Sequence, residues 1–204
     1  MIERIIQEIE NKTMEKKIYN LIILDESGSM QSIKPQAITG LNETLQTIKS
    51  AQEKFENQSH YVTLVSFNTS RVKTIYDCCP ANRIQELTKD DYLPNAGTPL
   101  YDAMGISLTQ LMAEVKDEDN VLVTIITDGY ENASREYSGK AIFQLIEGLK
   151  VKGWIFTYIG ANQDVEKVAS SMGIRYSLLF DADEEGTKRM FKQERECRKE
   201  LYYC

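Results

Sequence analysis

Asp25, Ser27 and Ser29 stand at alternate positions directly after the apolar run Ile18 to Leu24 (IYNLIIL). The end of a buried strand in an open α/β sheet is where ligands usually bind. A second carboxylate, Asp128, follows the apolar run Val121 to Ile126 in the equivalent place, and Thr98 opens the helical pattern that precedes that run. Two carboxylates and three hydroxyls make an oxygen-only donor set. Such a set suits a hard cation, Mg2+ or Mn2+, better than zinc, which favours nitrogen and sulfur. His60, the only histidine, opens an internal strand and reads as a solvent-facing or core-edge residue rather than a ligand.

Every one of these residues also has an ordinary structural reading. Thr98 directly before Pro99 is a good helix N-cap followed by a favoured first helical residue, so its hydroxyl could simply satisfy a backbone amide. Asp25, Ser27 and Ser29 are common in turns, and Asp128-Gly129 is a common turn pair. The structural reading needs five coincidences at once; the cation reading needs one site.

The elements that must position these residues alternate regularly between apolar runs and helical periodicities, the pattern of a doubly wound α/β fold with a mostly parallel six-stranded sheet and helices on both faces. IYNLIIL is near-continuously apolar, as expected for a central strand buried on both sides. Ala37, Ile38, Leu41, Leu45, Ile48 and Phe55 mark a helix beginning near Pro35. Tyr61 to Phe67 and Val72 to Tyr76 are separated too briefly for a crossover and must pair antiparallel, which puts one strand against the others. A helix carrying Leu100, Met104, Leu108, Leu111 and Val115 precedes the strand Val121 to Ile126. A helix over 141–149, a strand over 154–159, a helix over 165–172 ended by Gly173 and a strand over 176–180 complete the series.

Residues 18–204 form one domain that includes a charge-rich terminal helix over about 184–200, with Met190 and Phe191 as its main apolar anchors. Residues 1–17 form an amphipathic helical extension, whose Ile2, Ile5, Ile6 and Ile9 share a face that either docks on the domain or awaits another protein.

In this order, Asp25, Ser27 and Ser29, then Thr98 within GTPLYDAM, then Asp128 within ITDGYEN, the chain resembles von Willebrand factor A domains over roughly Ile18 to Phe180. The five residues resemble that family's metal-ion-dependent adhesion site, D-x-S-x-S followed by T and then D. The resemblance implies a sheet order of 3-2-1-4-5-6 with the second hairpin strand as the antiparallel edge. It implies that Ser27, Ser29 and Thr98 bind the metal directly while Asp25 and Asp128 act mostly through water. So little anionic charge in the inner shell leaves the cation electrophilic, and an Asp or Glu of a partner protein fills its remaining position. In some family members ligand binding shifts the terminal helix; the polar, weakly anchored tail here invites the same expectation.

Around the metal, Glu26, Met30, Gln31, Tyr101, Tyr130, Glu131, Asn162 and Gln163 are candidates for partner contact. Tyr130 is either an exposed interface anchor or a ring packed on its own loop. Asp102, one helical turn beyond Thr98, is either an acceptor supporting the ligands or a solvated helix-start charge. Cys78 and Cys79 read as strand-end thiols, with soft-metal binding or redox sensing the alternative.

Three function classes compete. The leading one is a protein-binding module rather than an enzyme. A scaffold subunit that binds through another face is the second. A Mg2+-dependent phosphatase is the third, disfavoured because Ser27 stands where an aspartyl-phosphate enzyme carries its general acid. No nucleotide-binding glycine motif occurs.

The 204 residues suffice for one large domain, and 42% hydrophobic with 27% charged residues is ordinary for a folded chain. With 24 basic and 31 acidic residues the net charge is −7, which disfavours nucleic acid as a partner. The charged start lacks a secretory signal, no segment approaches a membrane span, and four irregularly spaced cysteines suggest a reducing, cytoplasmic setting.

Overall fold

The computed structural model describes residues 16–161, 164–181 and 183–203. The N-terminal extension therefore lies outside the described residues, except for Lys16 and Lys17, which already belong to the first strand. That strand, β1 (Lys16–Asp25), is parallel to β2 (Gln58–Asn68) on one side and to β4 (Asn120–Thr127) on the other. With β3 (Arg71–Pro80), β5 (Ile155–Ala161) and β6 (Tyr176–Phe180) the sheet runs β3-β2-β1-β4-β5-β6, and only the β2–β3 pair is antiparallel. The fold class, strand number and order are those expected from the sequence.

From Ile18 to Leu24 β1 is apolar but for Asn20, because it has no solvent face. Ile18, Ile22 and Leu24 point into one core, and Tyr19, Leu21 and Ile23 point into the other. The helices α1 (Lys34–Lys54) and α5 (Glu184–Tyr203) cover the first core. The helices α2 (Leu100–Met112), α3 (Gly139–Val151) and α4 (Val165–Ser171) cover the second. The hairpin strands are longer than expected because the turn between them is only Thr69-Ser70. On the edge strand β3 the register slips twice, near Cys78 and again near Ile75, bending the strand away from the flat geometry that invites edge-to-edge pairing.

α5 is anchored more firmly than its composition suggests. Phe191 lies so close to Gly40 of α1 that a Cβ there would sit 2.1 Å from its Cδ2. Beyond Met190 and Phe191, the buried face of α5 continues through Glu194, Arg198 and Tyr202, spaced four residues apart. Arg198 donates to Glu194, to Asn20 Oδ1 at 2.8 Å and to Thr124 Oγ1 at 2.7 Å, so the guanidinium ties the helix to β1 and β4. Glu194 also accepts from Thr44 Oγ1 of α1 at 3.1 Å, and the Tyr202 hydroxyl donates to Asn20 Oδ1. The expectation of a weakly anchored tail is thereby corrected: an ion pair that satisfies itself inside the protein has the same letters as a solvated helix face.

The same network buries His60, which is therefore not solvent-facing. Its Nε2 pairs with Gln58 Oε1 at 3.0 Å, and its ring meets Tyr202 edge-on, 4.6 Å between centroids. Burial, aided by the nearby Arg198 charge, pushes the imidazole down to about 4, so it is neutral at physiological pH.

Arg198→Leu should cost about 3–5 kcal/mol in urea unfolding, because Glu194 is left charged and unpaired. The double variant Arg198→Leu/Glu194→Leu should recover much of that loss, giving a strongly non-additive cycle.

Candidate metal centre

Asp25 ends β1 and Asp128 follows the neighbouring β4, so parallel pairing brings two carboxylates to one edge of the sheet. Asp25 is completely buried. Its Oδ1 accepts the backbone N–H of Ser27 at 2.7 Å, and its Oδ2 accepts from the Thr127 hydroxyl at 2.6 Å. Ser27 caps the 3-10 turn Gly28–Ile33 in an extended conformation without using its side chain, which leaves its Oγ 3.2 Å from Ser29 Oγ. Ser29 Oγ in turn donates to Asp128 Oδ1 at 2.6 Å.

Thr98 completes the set. The sequence allows it to cap the following helix, but the cap position of α2 is Pro99 and no side chain on that residue serves it. The loop after β4 supplies the bonds instead. Asn132 Oδ1 accepts from Thr98 N–H at 2.9 Å, Glu131 Oε2 from Tyr101 N–H at 3.0 Å, and Ser134 Oγ from Asp102 N–H at 3.1 Å. The Thr98 hydroxyl makes no hydrogen bond among the described residues. It faces Gly129, where a Cβ would lie 3.3 Å from Thr98 Oγ1, 3.6 Å from Ser29 Oγ and 4.0 Å from Asp25 Oδ2. Three oxygens from two loops thus converge beside a bare glycine of a third, and a side chain at position 129 would crowd the space between them.

The electrostatics call for positive charge. Burial pushes the Asp25 carboxyl up to about 6, with the Asp128 charge adding to the rise and the bonds from Thr127 and Ser27 opposing it. Burial likewise raises Asp128 against the Ser29 bond. Neither carboxylate has an ion pair among the described residues, whereas nearby Glu26 meets Arg71 at 3.5 Å. Among those residues no three His, Cys, Asp or Glu side chains gather to hold a metal. The donor set here has only two acids and is completed by hydroxyls, which fits a hard cation and would not hold zinc.

The expected partner-facing rim is redistributed. Tyr130 is 56% exposed, and Gln31 is also exposed. Glu26 and Met30 are fully buried, so neither side chain offers a partner any surface. Met30 packs into the α1–α5 core, while Glu26 accepts from Ser66 Oγ at 2.8 Å and from Leu93 N–H at 2.6 Å. Tyr101 is half-buried against Gly139 at the start of α3. Glu131 is spent on Tyr101, Ala133 and Ser134. Asn162 and Gln163 lie outside the described residues.

Asp102 follows neither reading offered by the sequence. Its carboxylate accepts the backbone N–H groups of Arg135, Glu136 and Tyr137 at 2.7–2.9 Å. Burial pushes its carboxyl up, but these amides outweigh that and hold it below the usual range. Sequence reasoning overlooked Thr127, whose place beside Asp128 was the available signal, and Tyr92, whose buried hydroxyl donates to the Asp25 carbonyl.

No family model matches the chain, and no characterised protein matches it in sequence. Solved structures do share its architecture. The vWF domain of the type V pili tip protein Mfa5 from Porphyromonas gingivalis superposes with a TM-score of 0.60 at 8% identity, over 91% of this chain and 96% of that one. The fold is von Willebrand factor A-like. The SpRpn10 VWA domain agrees, with a TM-score of 0.56 at 10% identity over 86% of this chain and 94% of that one. The PilB minor pilin from Streptococcus sanguinis matches at 0.65 and 13% identity over 90% of this chain, which spans 61% of the pilin's length. Among the described residues no helix of this A-like domain is long and apolar enough to cross a membrane.

Because the folded Asp25 carboxyl titrates above its unfolded value of roughly 3.9, its contribution to stability is present below that value and lost as pH rises through about 6. Thermal unfolding in EDTA should therefore show Tm falling between pH 5 and pH 7.5 by on the order of 5 °C from this group. Asp25→Asn, measured alongside, should flatten the slope.

Proposed function

We propose that the chain is a divalent-cation-dependent protein-binding module. Asp25, Ser27, Ser29, Thr98 and Asp128 would hold Mg2+ or Mn2+, and an Asp or Glu of a partner protein would complete the coordination. The observation that carries this reading is the gathering of three hydroxyls and two buried, unpaired carboxylates around the bare Gly129. When bound, the ion supplies Lewis-acid affinity for an incoming carboxylate and offsets its repulsion from a chain of net charge −7.

The chain's own groups are arranged to receive rather than to react. The three hydroxyls keep the inner shell nearly neutral, and Thr127 and the Ser27 amide orient Asp25. Binding is favoured over phosphoryl chemistry because the acids closest in sequence are occupied: Glu26 is bonded in the interior and Asp102 is saturated by backbone amides. A proton donor for a leaving group is not among them. Exposed Tyr130 and Gln31 would flank the incoming acid. The free thiols of Cys78, Cys79 and Cys197 suit the cytoplasmic setting that belongs to this proposal.

Calorimetric titration of Mn2+ or Mg2+ into the intact chain should register one ion per molecule. Thr98→Ala, which removes a hydroxyl with no hydrogen bond among the described residues, should weaken uptake at least ~10-fold without altering the circular dichroism spectrum. No uptake of either ion by the natively folded chain would refute the proposal.

A further inference from the structure

The two edges of the sheet are finished differently. β3 closes one edge with two register slips that bend it, whereas β6 closes the other and follows β5 in unbroken parallel register from Tyr176 to Phe180. An edge strand directs backbone N–H and C=O groups away from its single neighbour, ready to pair with another strand. Natural edges are blunted by a bulge, a proline or a charged side chain, and β6, YSLLF, has none of the three. Among the described residues its shortness is its one guard. Tyr176 and Leu179 are each 66% exposed, and half-buried Leu178 lines with Tyr176 a groove of about 410 Å3 against Cys197 and Leu201 of α5.

The strand and its flanks are complementary to themselves. In the stretch RYSLLFD, Arg175 precedes β6 and Asp181 follows it, equally far from Leu178. Two antiparallel copies about a two-fold axis at Leu178 set that residue against its own counterpart, Tyr176 against Phe180, Ser177 against Leu179 and Arg175 against Asp181. Registers displaced from this one pair fewer residues. Facing residues share a face, so on the groove side the two leucines lie between Tyr176–Phe180 pairs, and on the other side each Leu179 covers a Ser177.

The surrounding charge has the same polarity. From Lys167 to Phe180 the chain carries two basic residues and no acid, whereas Asp181, Asp183, Glu184 and Glu185 follow at once. Lys188 and Arg189 offset part of that charge through contacts with Glu184, Glu185 and Asp181. Two acids reach the Arg175 end from other elements: Glu147 of α3 is paired with Lys150, and Glu200 of α5 lines the same groove and is already engaged. Arg175 itself has no ion pair among the described residues. An antiparallel two-fold therefore joins a basic end to an acidic end twice, whereas a parallel pair would set like ends together.

We propose that β6 is a self-association edge, at which two copies of this chain pair β6 with β6, antiparallel about Leu178, into one continuous sheet. The pairing satisfies the outer backbone groups of both edges and covers Tyr176 and Leu179. Asp128 follows β4, two strands inward, so the contact leaves the candidate metal centre of each copy open. Because the two-fold reverses strand direction, the two centres face opposite ways.

Sedimentation of the full chain in EDTA, over a concentration series, tests this apart from metal binding and should resolve a reversible equilibrium between one and two copies. Arg175→Asp and Asp181→Arg, both at exposed positions, should each weaken the dimer at least ~10-fold, because like charges then face each other. The double variant Arg175→Asp/Asp181→Arg should restore it. Leu178→Lys sets two ammonium groups together on the axis and should leave only monomer, with far-ultraviolet circular dichroism checking that each variant is folded. A chain that stays monomeric at every concentration would overturn the proposal. So would a dimer indifferent to Leu178→Lys, which places the contact elsewhere, or a folded double variant that associates no more tightly than the single ones, which excludes this register.

Discussion

Two carboxylates withdrawn from water at the ends of neighbouring parallel strands are the constraint around which this protein is arranged. Asp25 and Asp128 are adjacent because β1 and β4 are adjacent, and burial makes their charges costly. The surrounding chain offers hydroxyls and amides in place of cations. Thr127 and Ser27 hold Asp25, Ser29 holds Asp128, and the Thr98 hydroxyl faces Gly129 with no hydrogen bond among the described residues. Two buried carboxylates with no ion pair among the described residues leave the set electrostatically unfinished, a condition that the proposed divalent cation would relieve.

Acids a few residues away have quite different duties, decided by which backbone amides they meet. Glu131 and Asp102 bind each other's segments: one accepts from the first turn of α2, the other from three amides of the loop after β4. This reciprocal bonding caps α2 without using Thr98, which frees that hydroxyl for the site. Glu26 ties β1 to Ser66 of β2 and to the chain at Leu93. Hydrogen bonds of this kind fix the loops that carry the oxygens of the proposed site.

Far from that edge, the polar network of Arg198, Glu194, Asn20 and Tyr202 locks α5 across β1 and β4. A helix held by directional bonds in the interior resists sliding, since each shift would strand a buried charge. Among the described residues the same helix stops short of covering β5 and β6, which leaves Ile155, Tyr176 and Leu178 partly exposed beside it.

Alternation of apolar runs with helical periodicity was enough to obtain the fold class, because a strand such as IYNLIIL can satisfy its hydrophobicity only between two helical layers. Four of the five proposed oxygen ligands were legible for a related reason: in a doubly wound sheet, residues at or just past the ends of neighbouring parallel strands share one edge, whereas Thr98, in the loop well beyond β3, was legible through the family resemblance. Their order in the chain therefore foretold their proximity. The rest depended on partners remote in sequence. Nothing local distinguishes the buried Glu26 and Met30 from exposed loop residues, or Asp102 from a solvated acid, since each side chain's neighbours come from other segments. Arg198 and Glu194 look like surface charges until α5 is laid against Asn20 and Thr124. Sequence alone pointed to which oxygens share an edge, because hydrophobic pattern gives the strands and the resemblance of the Asp25–Ser27–Ser29, Thr98 and Asp128 spacing implies their order. Tertiary packing alone decided which of the neighbouring polar groups remain free to act, because a hydrogen bond is spent wherever a distant amide or guanidinium happens to reach it.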